Sequence, residues 1–362
     1  AFSSATSDAA VLTVTPDVTI PALVSAVGNG TLKEAILSFS ETIATATATN
    51  AANFAVSGGV TVSAAKLGVD GKSVVLTTSA QTPGTAYTVT VTGVKDTASG
   101  GNPVAANTQA TFTAWVLTKG FLLFEAYDTA STGGTAVSLQ TAPPNYPNNP
   151  RDRLYMTSAN TRTVYPNDSH EQYGARISGL YTAPSNGVYK FYIRSDDASQ
   201  FFMNTNSANS TDPAGKVQIA QETGCCAAFV ASGNQTSAGI TLVGGQSYYI
   251  EGLLKEGGGG DYMNVAIREF AVKTTPANTE TISGAFLSTY ANPDGAGITI
   301  SQQPASVSVL ESTPAPTATL KVTATAKTAS SSNQAILYQW QKNGVNIAGA
   351  TSSSYTTPAL LP

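Results

Sequence analysis

Tyr87-Thr-Val-Thr-Val-Thr92, Val188-Tyr-Lys-Phe-Tyr-Ile-Arg194 and Tyr248-Tyr-Ile-Glu-Gly-Leu-Leu254 are the stretches whose reading decides the fold. They are rich in β-branched and aromatic residues, and on an extended chain side chains two apart share a face. Runs of this kind recur along the sequence, separated by Gly, Pro, Asn and Asp at the spacing of sandwich strands. Only Leu32 to Leu37 hints at a helical turn. The fold class expected is all-β, a tandem of β-sandwich domains.

Outward from these runs, composition narrows the function. The 362 residues carry 18 Lys and Arg and 22 Asp and Glu, so charged residues make 11% of the chain, less than half of the roughly 25% usual in soluble domains. The net charge of −4 and the lack of any basic run remove the electrostatic footprint that nucleic acid or an anionic membrane requires. With 15 Tyr, 12 Phe and 2 Trp there is enough apolar bulk for several cores, so low charge does not mean disorder here. No apolar run reaches the ~18 residues of a membrane span. The length accommodates two to four domains.

Residues 18 to 114 carry Phe39-Ser-Glu-Thr-Ile43, Asn53-Phe-Ala-Val56, Asp70-Gly-Lys-Ser-Val-Val-Leu76 and Gly84-Thr-Ala-Tyr-Thr-Val-Thr-Val91, leading to Val94-Lys-Asp96 and Gly101-Asn102. This order resembles the bacterial Ig-like domain of S-layer and other surface proteins, and the resemblance implies a spacer or structural sandwich. Further on come Tyr173-Gly-Ala-Arg-Ile-Ser-Gly179, Pro184-Ser-Asn-Gly-Val-Tyr-Lys-Phe191, Ser195-Asp-Asp-Ala-Ser-Gln-Phe-Phe-Met203, Gly244-Gly-Gln-Ser-Tyr-Tyr-Ile250 and Glu256-Gly-Gly-Gly-Gly-Asp261. These landmarks resemble the PA-fourteen domain, a family named after the anthrax protective antigen that includes flocculin adhesins.

From Thr299 onward, Gln302-Gln-Pro304, Ala318-Thr-Leu-Lys-Val-Thr-Ala324 and Tyr338-Gln-Trp-Gln-Lys-Asn-Gly-Val345 resemble an Ig-like domain with its core tryptophan, Trp340, on the third strand. The cysteine pair of that family is absent, and Val322 or a neighbour is expected to fill its place. Ser354 to Pro358 is similar to a fifth strand, and Ser4 to Val14 to the final strand of such a domain, so the chain is expected to be cut from a tandem array. The expected organisation is residues 1–15 as a last strand of a preceding Ig-like domain, 16–115 as a bacterial surface-type Ig-like domain and 116–275 as the PA-fourteen-like domain. A linker over 276–298 and an incomplete Ig-like domain over 299–362 follow.

Adjacent residues of an ordinary strand point to opposite faces, so Asp196 and Asp197 could not grip one ion together on a regular strand. In calcium-binding members of the PA-fourteen family, paired aspartates are joined by a cis bond that puts both carboxylates on one side, and a later loop completes the site. The resemblance therefore implies calcium on Asp196 and Asp197. Asp261 would add a third carboxylate, and the glycine loop that includes Gly259 and Gly260 would add carbonyl oxygens, hard ligands for a hard cation. Read without the family, the pair caps a turn and the glycines form a flexible loop.

Cys225 and Cys226 are the only cysteines. They are expected to form a vicinal disulfide rather than two thiols, because exposed thiols are a liability in an oxidising compartment. With Ala227, Ala228 and Phe229 the bridged pair would make an apolar knob among the ligand-binding loops. His170, the only histidine, lacks any Gly-x-Ser-x-Gly or His-Glu-x-x-His context and is read as a surface residue. A vicinal acid pair given over to a cation cannot serve glycoside hydrolysis, so the chain is expected not to be an enzyme.

The first function expected is an extracellular bacterial surface or adhesion segment whose calcium-bearing module binds glycans or cell-surface polysaccharide. The alternative is a structural repeat of a stalk, sheath or filament, in which copies associate and calcium only rigidifies loops. A weaker third reading is an accessory region of a secreted hydrolase.

Overall fold

The chain divides into two compact units, one of Ala1–Val27, Lys33–Gln81 and Ala86–Phe112, the other of Gly28–Leu32, Thr82–Thr85 and Thr113–Pro362. A computed structural model describes residues 10, 12–128, 136–141 and 146–360 of them.

The first unit is built on seven strands, β1 (Leu23–Gly28), β2 (Glu34–Phe39), β3 (Phe54–Val56), β4 (Val62–Leu67), β5 (Ser73–Thr78), β6 (Ala86–Val91) and β7 (Thr108–Thr113). They form one sheet in the order β1-β2-β5-β4 and a second in the order β3-β6-β7. Period-two alternation drives their burial: Ala35, Leu37 and Phe39 of β2 and Tyr87, Val89 and Val91 of β6 are buried, with half-buried residues between them. Each large apolar side chain withdrawn from water contributes about 1.5 to 3 kcal/mol, and Tyr87 stacks on Phe112 with ring centroids 5.6 Å apart. The helical turn expected over Leu32 to Leu37 is not formed. Most of that stretch lies in β2, because the alternation of buried and half-buried residues satisfies a sheet face.

In the second unit the strands are β8 (Val116–Lys119), β9 (Leu122–Asp128), β10 (Asp152–Met156), β11 (Tyr173–Thr182), β12 (Gly187–Asp196), β13 (Ala198–Met203), β14 (Val217–Glu222), β15 (Ile240–Leu242), β16 (Ser247–Lys255), β17 (Tyr262–Glu269) and β18 (Leu287–Ala291). An eight-stranded sheet runs β10-β9-β11-β16-β13-β14, with β18 joining β11 to β8, and a three-stranded sheet runs β15-β12-β17. Phe191, Ile193, Met263 and Val265 from the small sheet meet Phe124, Ile177, Phe201, Ile250 and Leu254 from the large one in a single buried core. Strand β16 is covered on both faces. Its Tyr248, Ile250 and Leu254 enter that core, while Leu253 packs with Val137 and Ala198 on the other side.

Glu251, between two core residues of β16, is also buried. The Arg176 Nε at 3.1 Å and the Lys216 Nζ at 2.8 Å compensate its charge. Burial would raise its pKa, but these two cations and the Tyr249 hydroxyl hold it below the ordinary carboxylate value.

C-terminal to the core, β19 (Gly297–Gln302), β20 (Thr319–Lys321), β21 (Thr323–Lys327), β22 (Gln341–Lys342), β23 (Val345–Asn346) and β24 (Ser354–Thr356) pair as β19-β21, β20-β24 and β22-β23. Trp340 is not the buried strand residue expected. It immediately precedes β22 and is half-buried; its Nε1 donates to Ser352 O at 2.9 Å, and its ring lies 6.1 Å from that of Tyr355. Val322 is likewise half-buried, and Ala318 and Ala350 are the buried apolar residues described in this segment. The architecture is all-β, as the alternation requires.

Candidate functional site

The chain crosses between the two sheets twice at one place. After Asp196 it leaves β12 of the small sheet and enters β13 of the large one at Ala198; after Lys255 it leaves β16 of the large sheet and returns to β17 at Tyr262. The register pairs Asp196 with Tyr262 and Ala198 with Lys255, which brings both crossings side by side. Backbone pairing alone therefore places Asp196-Asp197 against Glu256-Gly-Gly-Gly-Gly-Asp261.

The Asp196–Asp197 peptide bond is cis. One carboxylate oxygen from each of Asp196, Asp197 and Glu256 lies within 4.8 Å of the other two. Asp196 and Glu256 are buried and Asp197 is half-buried. Neither oxygen of Glu256 has a hydrogen-bond partner among the described residues. Burial first, then the charges of Asp197, Asp196, Asp261 and Glu171, push the Glu256 pKa up to about 8. Asp196 is raised as well, by burial and then by Asp197 and Asp168. Beside them the buried Lys255 donates through Nζ to Glu256 O, and burial lowers its pKa.

Glu256 was not foreseen as a member of this group. It opens the glycine run, but only its position at the end of β16 turns it inward. Asp261, expected as the third carboxylate, stands outside the trio. Its Oδ1 accepts from the Tyr173 hydroxyl and its Oδ2 lies 3.6 Å from His170 Nδ1. His170 in turn stacks flat on Tyr165 at 3.6 Å between ring centroids. Asp261 thus braces the loop against the core.

The N–H groups of the glycine loop are engaged by carboxylates. Gly257 N–H donates to Asp197 Oδ2 at 3.0 Å, Gly259 N–H to Glu171 Oε2 at 3.1 Å, and Gly260 N–H to Asp196, while Gly257 O accepts from Gln172 Nε2. Carboxylates recruit N–H donors, and glycine can present either side of its peptide unit. Gly259 has φ of +108°, and a Cβ at Gly260 would collide with Asp196 Oδ2, so neither position accommodates another residue without strain.

Cys225 and Cys226 are joined by a disulfide and both are exposed. Their sulfur atoms and an Asp196 carboxylate oxygen lie within 4.8 Å of one another. Three contacts hold this loop on the small sheet: Cys226 N–H donates to Ser195 O at 2.9 Å, Arg194 Nε to Ala227 O at 3.1 Å, and Phe229 packs against Tyr192. Phe229, expected among the ligand-binding residues, is instead 5% exposed. It anchors the loop that presents the disulfide.

The donor set fits a hard divalent cation. Three carboxylates converge, two of them buried, and one holds both oxygens free of hydrogen bonds among the described residues. The second candidate trio, Asp17, Glu41 and Asp96 in the first unit, has one buried member in place of two, and Glu41 Oε1 has no hydrogen-bond partner among the described residues. Asp96 is already bonded to the Ala98 and Asn102 N–H groups and the Asn102 amide.

Comparison with known proteins places two families on the chain. Residues 9–114 match the family model of the bacterial Ig-like domain, and residues 144–258 match that of the PA14 domain. Fibrocystin-L of Homo sapiens is 38% identical over 82 residues, which are 23% of this chain and 2% of that protein. The chain thus spans a small fraction of that relative. Among solved structures, a PA14 sugar-binding domain from an RTX adhesin aligns at 15% identity over 46% of this chain and 99% of its own, with a TM-score of 0.33. The epithelial adhesin 9 A domain from Candida glabrata, solved in complex with Galb1-3GlcNAc, aligns at 12% identity over 49% of this chain and 92% of its own, with a TM-score of 0.33. No helix among the described residues is long and apolar enough to cross a membrane.

Proposed function

We propose that the second unit is a calcium-dependent carbohydrate-binding module of an extracellular, surface-attached adhesion protein. The observation that carries this reading is Glu256, fully buried beside Asp196 and Asp197 with two oxygens that have no hydrogen-bond partner among the described residues. Burying such a carboxylate without a compensating charge is costly, and a divalent ion on the trio would supply that charge. Asp197 is half-buried and the disulfide beside Asp196 is exposed, which leaves one side of the ion open to paired sugar hydroxyls. The match to the PA14 domain over 144–258 supports the same assignment. The module is read as a binder without catalysis, with Asp196 and Asp197 bonded to loop N–H groups and all three acids of the trio committed to the ion.

A second reading has its own support. The loop N–H groups already join the two crossings, so calcium could serve only to stiffen a stalk or filament repeat. A glycan array run with calcium and with chelator separates the two. Calcium-dependent retention of sugars supports the module. Calcium binding with no sugar retained in either condition supports the structural repeat.

A further inference from the structure

Strand β10 ends the eight-stranded sheet, with β9 as its ladder partner. Alternate backbone groups of such an edge strand face away from the sheet, and unpaired they form a template for another strand. Arg153 and Tyr155 are two residues apart, so their outward groups point the same way. Gln334 meets both. Tyr155 N–H donates to Gln334 Oε1 at 3.2 Å, and Gln334 Nε2 donates to Arg153 O at 3.1 Å.

The side-chain amide offers one acceptor and one donor in a single plane, as a residue of a neighbouring strand would. It is 8% exposed and held from behind: its Nε2 also donates to Thr328 Oγ1 at 3.0 Å and its N–H to Ala326 O at 2.9 Å. Ser330 Oγ adds a bond to Arg153 O at 3.1 Å, and Leu337 packs where Gly120 leaves no room for a Cβ.

We propose that Gln334 is a latch that fastens the C-terminal segment to the edge of the eight-stranded sheet and closes that edge to strands of other copies. The latch is separate from the cation site and does not depend on it. Hydrogen exchange on the full chain tests it. In Gln334→Ala the Tyr155 amide should exchange about tenfold faster, the loss of one hydrogen bond, while the core amides of β9 and β16 stay protected and report that the fold is intact. Sedimentation should then show concentration-dependent association that the parent chain lacks. Gln334→Leu, which keeps the bulk but not the amide, should behave in the same way. Unchanged protection of Tyr155 in either variant overturns the latch, and lost protection in a chain that stays monomeric overturns its role in closing the edge.

Discussion

At the scale of single residues, Glu256 has the clearest measurable consequence. The unfolded chain releases the Glu256 proton near the ordinary 4.5, whereas the folded chain keeps it to about 8. The folded state therefore binds more protons between those values, and the stability of chelated protein should fall as pH rises through that window. Chemical denaturation across pH 4.5 to 8 measures the slope, which Glu256→Gln should flatten. The same variant should lose most of any calcium-dependent rise in melting temperature, since an ion stabilises only in proportion to its binding to the folded state. A full calcium response in Glu256→Gln would mean the trio is not the site. Asp196 and Asp197 were legible through the resemblance to the PA-fourteen family, since on a regular strand adjacent side chains point to opposite faces. Glu256 was not, because its burial depends on the register of β16, which no local pattern encodes.

Among the elements, the disulfide loop and β16 make separate predictions. Phe229 fixes that loop to Tyr192, and Phe229→Ala should cost about 3 to 5 kcal/mol and speed exchange at the Cys226 amide, which now bonds Ser195 O. On β16, the lowered pKa of Glu251 means that its contribution is present above the unfolded value and is lost as pH falls through the folded one. Glu251→Gln should cost about 1.5 to 3 kcal/mol at neutral pH and reduce the loss of stability in acid. Acid titration of the two proteins followed by circular dichroism reads both effects. The strands themselves were readable wherever alternation was strict, as in Tyr87 to Val91. Leu32, Ile36 and Leu37 fit a helical period, but Leu32 sits in the bend before β2 and Ile36 and Leu37 pair with Val75 and Val74 of β5. Phe229 was read as a contact residue because a sequence shows that a side chain is apolar but not which neighbour covers it.

For the whole molecule, two compact units with separate cores should respond differently to calcium. Calorimetry should show that only the transition of the unit containing residues 113–362 moves with the ion, and a shift of the first unit's transition would place a site there instead. The family matches were legible from ordered landmarks, whereas the edge closure by Gln334 joins residues some 180 positions apart and left no signal along the chain. The meeting of the two sheet crossings has one more consequence. Gly257 N–H and Asp197 Oδ2 touch across 60 residues of sequence, so an ion bound there ties off a loop of that length, much as a covalent cross-link of the same span removes about 4 kcal/mol of unfolded-chain freedom. Unlike a covalent link, this knot can be undone by dilution. The calcium level of the surroundings would then set how firmly the two sheets are held together at the end proposed to bind sugar.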